Sequence, residues 1–296
     1  MDESVIEIRG LSRRFGSKKA LDGVDLTVPK GIVMGLVGEN GAGKTTLIKH
    51  ILGLYRPQEG TVRVFGDDPV ASPETVLANI GYLSEEGDLP TWMRVQDLMR
   101  YSASFYPTWD EAYSRQLLIE FGLDPGAKLS KLSKGQRSRA GLLVAMAYRP
   151  ALLLLDEPSS GLDPIVRRDI LGAIIRTIAD DGRTVLFSSH LLGEVERVSD
   201  RIAIVKSGKI LLCDALDNVK QSHFRITLIF DSPREIPPEL EGSLAWSGGG
   251  KEWSTTYVGQ MGHLEAAAAV LKARIIDRSA LSLDEIFVAQ VGAGRG

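Results

Sequence analysis

Residues 38–46 read "GENGAGKTT", and this stretch carries the most specific structural signal in the sequence. It follows "GIVMGLVG" (31–38), a short apolar run ending in glycine that is typical of a buried strand. It opens "KTTLIKHILGLY", in which apolar residues recur at helical spacing. Between a strand and a helix, the pattern G-x-x-x-x-G-K-[ST] indicates a phosphate-binding loop, or P-loop. The residues that fit this pattern are Gly38, Gly43, Lys44 and Thr45.

The P-loop has the chemistry to hold nucleotide phosphates. Glycines let backbone N–H groups turn inward around phosphate oxygens, and a helix N-terminus adds partial positive charge. Lys44 would reach the terminal phosphates as a point charge, and the hydroxyl of Thr45 can ligate Mg²⁺.

A second anchor is "LLLLDEPSSGLD" (152–163), in which four leucines predict a buried strand. Asp156 and Glu157 follow at its carboxyl end, where ligands gather in open α/β sheets. Asp156 would hold Mg²⁺ through water, and Glu157 would polarise the attacking water. A solvated strand end is the alternative for this pair alone, but the P-loop favours the functional interpretation.

His190 ends the next predicted strand, "TVLFSSH" (184–190). A single histidine at a strand end is more often a surface or hydrogen-bonded structural residue. One strand away from Asp156 and Glu157, it could instead contact a γ-phosphate.

The bulk composition limits the classes of function. With 296 residues and a formal net charge of −3, the chain shows no electrostatic footprint for bulk nucleic acid, although a small basic patch stays an alternative. The single cysteine, Cys213, excludes an intrachain disulfide and favours a reducing compartment. The acidic start "MDESVIEIRG" does not read as a signal peptide, and no run of about 18 apolar residues predicts a membrane span.

Strands and helices alternate along most of the chain, which predicts a largely parallel sheet covered by helices. Residues 91–149 are helical in pattern, and Thr108 and Glu111 have the spacing of a capping box. After about residue 214 the composition changes, because stretches such as "DSPREIPPEL" and "SGGGKEW" are rich in residues that break helices and strands. The tail "GAGRG" predicts disorder.

Five motifs together resemble the ATP-binding cassette (ABC) ATPases: the P-loop, "LSKGQ" (132–136), "LLLLDEP", "SGLD" and "SSH". The resemblance covers about residues 5–215. It implies an α/β P-loop NTPase fold with a mostly parallel sheet core, an antiparallel β part and a helical subdomain. The implied domains are an ATP-binding domain (1–215) with its helical subdomain at about 89–149, and a small C-terminal α/β domain (216–296).

The resemblance implies ATP and Mg²⁺ as cofactors and a second ATPase subunit as partner, in a homodimer or a heterodimer. Two cassettes of this family meet head to tail, and each ATP lies between the P-loop of one and the "LSGGQ"-type signature of the other. Ser133 and Gly135 would bond the γ-phosphate on the partner's P-loop, and Gln136 would support the loop and the ribose. The P-loop residues implied to bind ATP are Gly38, Glu39, Asn40, Gly41, Ala42, Gly43, Lys44, Thr45 and Thr46.

Three further residues match single positions of the family pattern. Phe15 occupies the place of the aromatic residue that stacks on adenine, with a core position as the alternative. Asp163 matches the loop that communicates between the two ATP sites, and His190 matches the family's switch histidine.

The chain departs from the family pattern at two places. Lys134 stands where the signature commonly has glycine, and it would either favour the phosphate or face solvent. Glu85 stands where the family has glutamine as a Mg²⁺ ligand and sensor, with Glu86 beside it. We expect Glu85 to act in catalysis and metal binding together with Thr45 and Asp156, unless it is an exposed loop charge.

The resemblance implies the ATP-hydrolysing subunit of a bacterial transporter that drives a separate transmembrane permease and does not bind nucleic acid. The sequence as a whole resembles the cassettes of drug-resistance exporters. The resemblance implies a cytoplasmic location, on the inner face of the cell membrane. Residues 89–109, rich in aromatics and methionine, would dock the permease or form a helical core. A soluble regulatory or ribosome-associated ABC ATPase is the alternative.

Overall fold

The computed structural model of the chain describes residues 3–85 and 89–292. The chain divides into two compact units, Met1–Cys213 and Asp214–Gly296. The boundary therefore falls two residues before the predicted one, inside the last strand of the first unit. Glu86 lies outside the described residues, as do the last four residues of the predicted disordered tail.

The first unit combines strands and helices in the predicted alternation. Its strands are β1 (Ser4–Phe15), β2 (Lys18–Pro29), β3 (Val33–Val37), β4 (Glu59–Val64), β5 (Ile80–Leu83), β6 (Leu152–Asp156), β7 (Thr184–Ser189), β8 (Arg201–Lys206) and β9 (Lys209–Ala215). Its helices are α1 (Lys44–Ile51), α2 (Pro73–Leu77), α3 (Val95–Ala103), α4 (Glu111–Glu120), a 3₁₀ turn (Leu129–Lys131), α5 (Lys134–Ala147), α6 (Pro164–Asp181) and α7 (Leu192–Val198).

The central sheet positions the predicted site. Its strand order is β5-β6-β7-β3-β8-β9, and the pairs from β5 to β8 are parallel. The strands β3, β6 and β7 are buried along their whole length, as their apolar runs predict. Because parallel strands end at the same edge, the residues that follow β3, β5, β6 and β7 converge there.

A second, antiparallel sheet of order β2-β1-β4 packs its apolar side into the same core. This is the antiparallel part that the resemblance implies. Its strand β1 ends at Phe15, which places that ring near the sheet edge where the P-loop begins.

Helix α4 ends where the sequence predicts, but a different residue caps its N-terminus. The residue that caps α4 is Asp110, whose carboxylate accepts the N–H of Tyr113 at 2.9 Å. The predicted capping box at Thr108 is wrong, because the Thr108 hydroxyl donates to the carbonyl of Tyr148 at 3.0 Å. Asp and Thr are both good capping residues, so spacing alone did not separate them. The helix closes at Gly122 in the left-handed region, as predicted.

The aromatic stretch 89–109 divides between core and surface. Met93 and Met99 are buried, whereas three large rings are exposed. The exposed rings are Trp92, Tyr101 and Phe105.

Among the described residues, no helix is long and apolar enough to cross a membrane.

The second unit is a small α/β body. Its elements are α8 (Leu216–Ser222), β10 (His223–Arg234), β11 (Ser243–Val258), α9 (Met261–Val270), β12 (Ala273–Ala280) and α10 (Leu283–Gly292). The strands form an antiparallel sheet of order β11-β10-β12. The stretches "DSPR" and "SGGGKEW" are extended strand rather than breaks, with a register shift between Ile229 and Arg234 and left-handed Gly248 and Gly250 absorbing the irregularity.

Candidate functional site

Two positions of the P-loop require glycine because a Cβ atom there would collide with a neighbouring backbone carbonyl oxygen. Gly43 precedes α1 with φ 116°, a conformation that side chains rarely adopt, and a Cβ there would come within 2.6 Å of the Ala20 carbonyl oxygen. A Cβ on Gly38 would come within 2.4 Å of the Val205 carbonyl oxygen. The tight turn leaves the first N–H groups of α1 at the sheet edge, where they can donate hydrogen bonds to an anion.

Lys44 is held inside this turn and is only 5% exposed. Its Nζ donates to the carbonyl oxygen of Gly38 at 2.6 Å and to that of Glu39 at 3.3 Å. It also forms an ion pair with Oε1 of Glu157 at 2.9 Å. The two predicted motifs are therefore joined by direct contact between oppositely charged, buried groups.

Glu157 is the centre of the site and is 6% exposed. Its Oε2 lies 2.7 Å from Nδ1 of His190, so it contacts both Lys44 and the predicted switch histidine. Glu157 has φ 46°, a left-handed conformation that costs of order 1 kcal/mol for a non-glycine residue. Such strain persists only where surrounding contacts hold it, which is frequent at functional sites.

Ser188 supplies one of those contacts, a role that the sequence patterns did not predict. The backbone N–H of Glu157 donates to Oγ of Ser188 at 2.9 Å, and that hydroxyl donates to Oδ1 of Asp156 at 2.7 Å. Ser188 pairs with Asp156 in the ladder between β6 and β7. Aligning these two predicted strands in parallel register was the signal that could have found it.

Two cavities at this edge collect most of the predicted ligand-binding residues. A cavity of about 420 Å³ brings Phe15, the P-loop, Glu85 and Glu157 together. Its lining is completed by Lys18, Ala20, Asn40, Gly41, Gly43, Lys44, Thr45 and Thr46.

The predicted metal ligands meet in a neighbouring cavity of about 350 Å³. Thr45, Glu85 and Asp156 all line it, offering one hydroxyl and two carboxylates. Hard oxygen donors with no more than two carboxylates suit Mg²⁺, which commonly takes its other ligands from water and phosphate. In the part of the chain that the structure describes, no three His, Cys, Asp or Glu side chains cluster as a complete metal site.

Phe15 lies outside the core, which removes the core alternative. Its ring is 41% exposed and faces the larger cavity. Tyr55 packs against it edge-on at 5.5 Å between ring centroids, and the Arg13 guanidinium lies 4.7 Å from its centroid. These contacts fix the ring while leaving an open face for a flat ligand.

The signature residues do not line either cavity. Ser133 caps α5, and its Oγ accepts the N–H of Gln136 at 3.2 Å while Oε1 of Gln136 accepts the N–H of Ser133 at 2.9 Å. This capping box presents the N-terminus of α5 with an exposed hydroxyl. The exposed side chain of Lys134 donates to the Ser160 carbonyl at 2.7 Å, so it braces the neighbouring loop.

Asp163 also lies outside these cavities, at the start of α6. Its Oδ1 accepts backbone N–H groups from Val166 at 3.1 Å and Ile165 at 3.0 Å. Hydrogen bonds from Val166 and Ile165 hold the pKa of this carboxyl below its ordinary value. The motif residues therefore divide into those that line the cavities around the P-loop and Glu157 and those that do not, which include Ser133, Gly135, Gln136 and Asp163.

A family model described as "ABC transporter" matches residues 21–160. The daunorubicin/doxorubicin resistance ATP-binding protein DrrA of Streptomyces peucetius is 36% identical over 222 residues, or 73% of this chain and 67% of DrrA. This chain belongs to the ABC transporter family. The predicted family, the P-loop NTPase fold and the ATPase activity are thereby confirmed, since ABC cassettes hydrolyse ATP to power transport.

Two further comparisons extend this result for the ABC cassette. The ABC transporter ATP-binding protein YtrB of Bacillus subtilis (strain 168) is 28% identical over 294 residues, covering 98% of this chain and 99% of YtrB. A dimeric structure of the ATP-binding cassette MJ0796 in a post-hydrolysis state with ADP and Pi has a TM-score of 0.63 at 22% identity, over 71% of this chain and 98% of that one. The alternative of a non-transport ATPase finds no support among these relatives.

Proposed function

We propose that this ABC ATPase powers a bacterial exporter of the drug-resistance type, and that Glu157 orients the water that attacks ATP. The observation that carries the mechanism is the contact of one buried carboxylate with both Lys44 and His190, at 2.9 and 2.7 Å. The name of DrrA, a drug-resistance ATP-binding protein, supports the exporter class.

The nucleotide would lie along the larger cavity with its base at Phe15 and its phosphates at the P-loop. Lys44 and the first N–H groups of α1 would bind the phosphate oxygens, because both present positive charge at the same point. Thr45, Asp156 and Glu85 would hold Mg²⁺, which supplies neutralisation of the developing phosphate charge. Glu157, which lines this cavity, would position water, and His190 would orient Glu157 through the contact of its Nδ1 with Oε2.

The signature would serve the nucleotide of a second subunit. Ser133 and the N-terminus of α5 form an exposed anion-binding end that does not line the cavity of its own P-loop. The MJ0796 cassette, which has the same fold, is described as a dimer with ADP and Pi, and this supports pairing with a second cassette here, in a homodimer or with a related partner. ATP would then hold two cassettes together, and hydrolysis would release them.

The permease would dock on the helical part of the first unit. Trp92 is 74% exposed, and Tyr101 and Phe105 pack edge-on 4.9 Å apart at the surface. Exposed aromatic rings of this kind suit a protein interface. Binding there would place the ATPase on the cytoplasmic face of the cell membrane.

The test is ATP turnover by the purified full chain and its Glu157→Gln variant. We expect kcat to fall by about 100-fold or more because water orientation is lost, while the ATP dissociation constant stays within about threefold. The exposed Glu74→Gln variant is the matched control for loss of a carboxylate. An unchanged kcat in Glu157→Gln would reject the proposed role of this residue.

A further inference from the structure

We propose that Glu194 is a positioning residue for ATP hydrolysis. Its buried carboxylate fixes the loop 158–163, which begins directly after Glu157 and ends at Asp163, against the helix that follows His190. The inference rests on the proposed function, because it requires that the orientation of Glu157 limits the reaction.

The Glu194 side chain has two partners on different segments and is 6% exposed. Its Oε2 accepts a hydrogen bond from Oγ of Ser159 at 2.5 Å. Its Oε1 lies 2.9 Å from Nε of Arg167 in an ion pair. One carboxylate therefore joins α7, the loop after β6 and the first half of α6.

The loop itself is a tight turn that these contacts hold at both ends. Within it, the N–H of Ser160 donates to the Glu157 carbonyl at 3.1 Å, and the N–H of Leu162 donates to the Ser159 carbonyl at 3.2 Å. Arg167 also donates from Nη2 to the Leu162 carbonyl at 3.4 Å. Movement of Ser159 would thus be transmitted to Glu157 on one side and to Asp163 on the other.

Stability alone gives little reason for an ion pair at this place. A buried carboxylate is costly, and well-packed apolar residues of similar volume are often equally stable. Apolar contacts lack direction, whereas the hydrogen bond from the Ser159 hydroxyl holds Glu194 at a set angle to the loop. The ion pair with Arg167 adds attraction between α7 and α6 without hydrogen-bond geometry. Directional support is what Glu157 needs, because its left-handed backbone two residues before Ser159 would otherwise relax.

The test compares Glu194→Gln, Ser159→Ala and the double variant in the full chain. We expect each single variant to lower kcat about tenfold with the KM for ATP within about twofold, because a small displacement of Glu157 impairs catalysis but spares phosphate contacts. The double variant should be no slower than the slower single variant, because both changes break one network. Glu74→Gln again serves as the control.

A merely structural role would be recognised by the same data. It would lower the temperature of unfolding and leave kcat per bound nucleotide at the native value, and that result would overturn the proposal. If Glu194→Gln does not fold, Ser159→Ala decides the question, because it removes only one hydroxyl. Glu157→Gln is measured alongside: if it loses activity while the Glu194 and Ser159 variants keep theirs, only the positioning role fails.

Discussion

The two units of the chain differ in what they bury. The first unit encloses Lys44, Asp156, Glu157 and Glu194, each 6% exposed or less. Among the described residues of the second unit, 214–292, no carboxylate, lysine or arginine is buried. Its core is instead an apolar cluster of Phe224, Ile226, Leu228, Phe230, Leu240, Trp253, Tyr257, Leu264 and Ala268.

The difference indicates that the first unit holds the reactive groups and that the second unit depends on apolar packing. Burying a charge costs several kcal/mol unless it is paired, so a chain retains buried charges mainly where pairing or reaction uses them. In the first unit Glu157 pairs with Lys44 and contacts His190 at one edge of the sheet, Asp156 accepts a hydrogen bond from Ser188, and Glu194 pairs with Arg167. The second unit is stabilised by apolar burial, and none of its residues takes part in the proposed steps of ATP hydrolysis.

The largest expected effect is loss of nucleotide binding in Lys44→Ala. Removing a buried cation that faces the phosphates should weaken ATP binding by at least about 100-fold, measured by titration calorimetry on the full chain. The exposed Lys30→Ala variant, which breaks only a surface pair with Glu3, is the control for charge. Retained tight binding in Lys44→Ala would refute the P-loop assignment and remove the contrast between the units.

A smaller effect is expected at Phe15, which tests an apolar contribution within the first unit. Phe15→Ala should weaken ATP binding by about five- to tenfold through loss of stacking, and Phe15→Trp should restore it. Ile236→Ala removes a 74% exposed apolar side chain from the second unit and should leave the affinity unchanged. Equal losses in Phe15→Ala and Ile236→Ala would contradict the assignment of nucleotide binding to the first unit alone.

The smallest effect concerns acid sensitivity of the second unit. Burial lowers the pKa of His223, whose Nδ1 lies 2.7 Å from the Val219 carbonyl and whose Nε2 lies 2.9 Å from Nε2 of Gln290. The unfolded chain therefore takes up a proton that the folded unit resists. The contribution of His223 to the stability of the second unit is therefore fully present above the unfolded pKa of about 6.5 and is lost as the pH falls below it.

Amide hydrogen exchange in β10 measures this loss locally, at pH 7.5 and 5.5. Exchange should report a weaker fold at pH 5.5 in the native chain, after correction for the intrinsic rate. His223→Gln should show less pH dependence, whereas the exposed His263→Gln should behave as native. The same pH dependence in all three proteins would mean that His223 does not control it.

The sequence predicted the P-loop group well because its constraints are local. Gly38, Gly43, Lys44 and Thr45 lie in one strand-to-helix turn, and Asp156 and Glu157 end a strand whose four leucines indicate burial. Parallel strands end at a common edge, so the meeting of these groups followed from the fold class.

Contacts between distant segments were not predictable in the same way. Ser188, Ser159, Arg167 and Glu194 meet only when β6, β7, α6 and α7 pack together, and each is an ordinary polar residue in its own stretch. The prediction of the α4 cap was wrong for a related reason. The Thr108 hydroxyl donates to the carbonyl of Tyr148, which is distant in sequence, and Asp110 caps the helix instead.

Light scattering of the full-length Glu157→Gln variant, with and without Mg-ATP, measures whether two copies of the chain pair around ATP. We predict that ATP doubles the molar mass, and that adding Ser133→Arg keeps the protein monomeric with ATP still bound. A monomeric Glu157→Gln protein with bound ATP, or dimerisation despite Ser133→Arg, would contradict the proposal that the signature of one copy completes the nucleotide site of another.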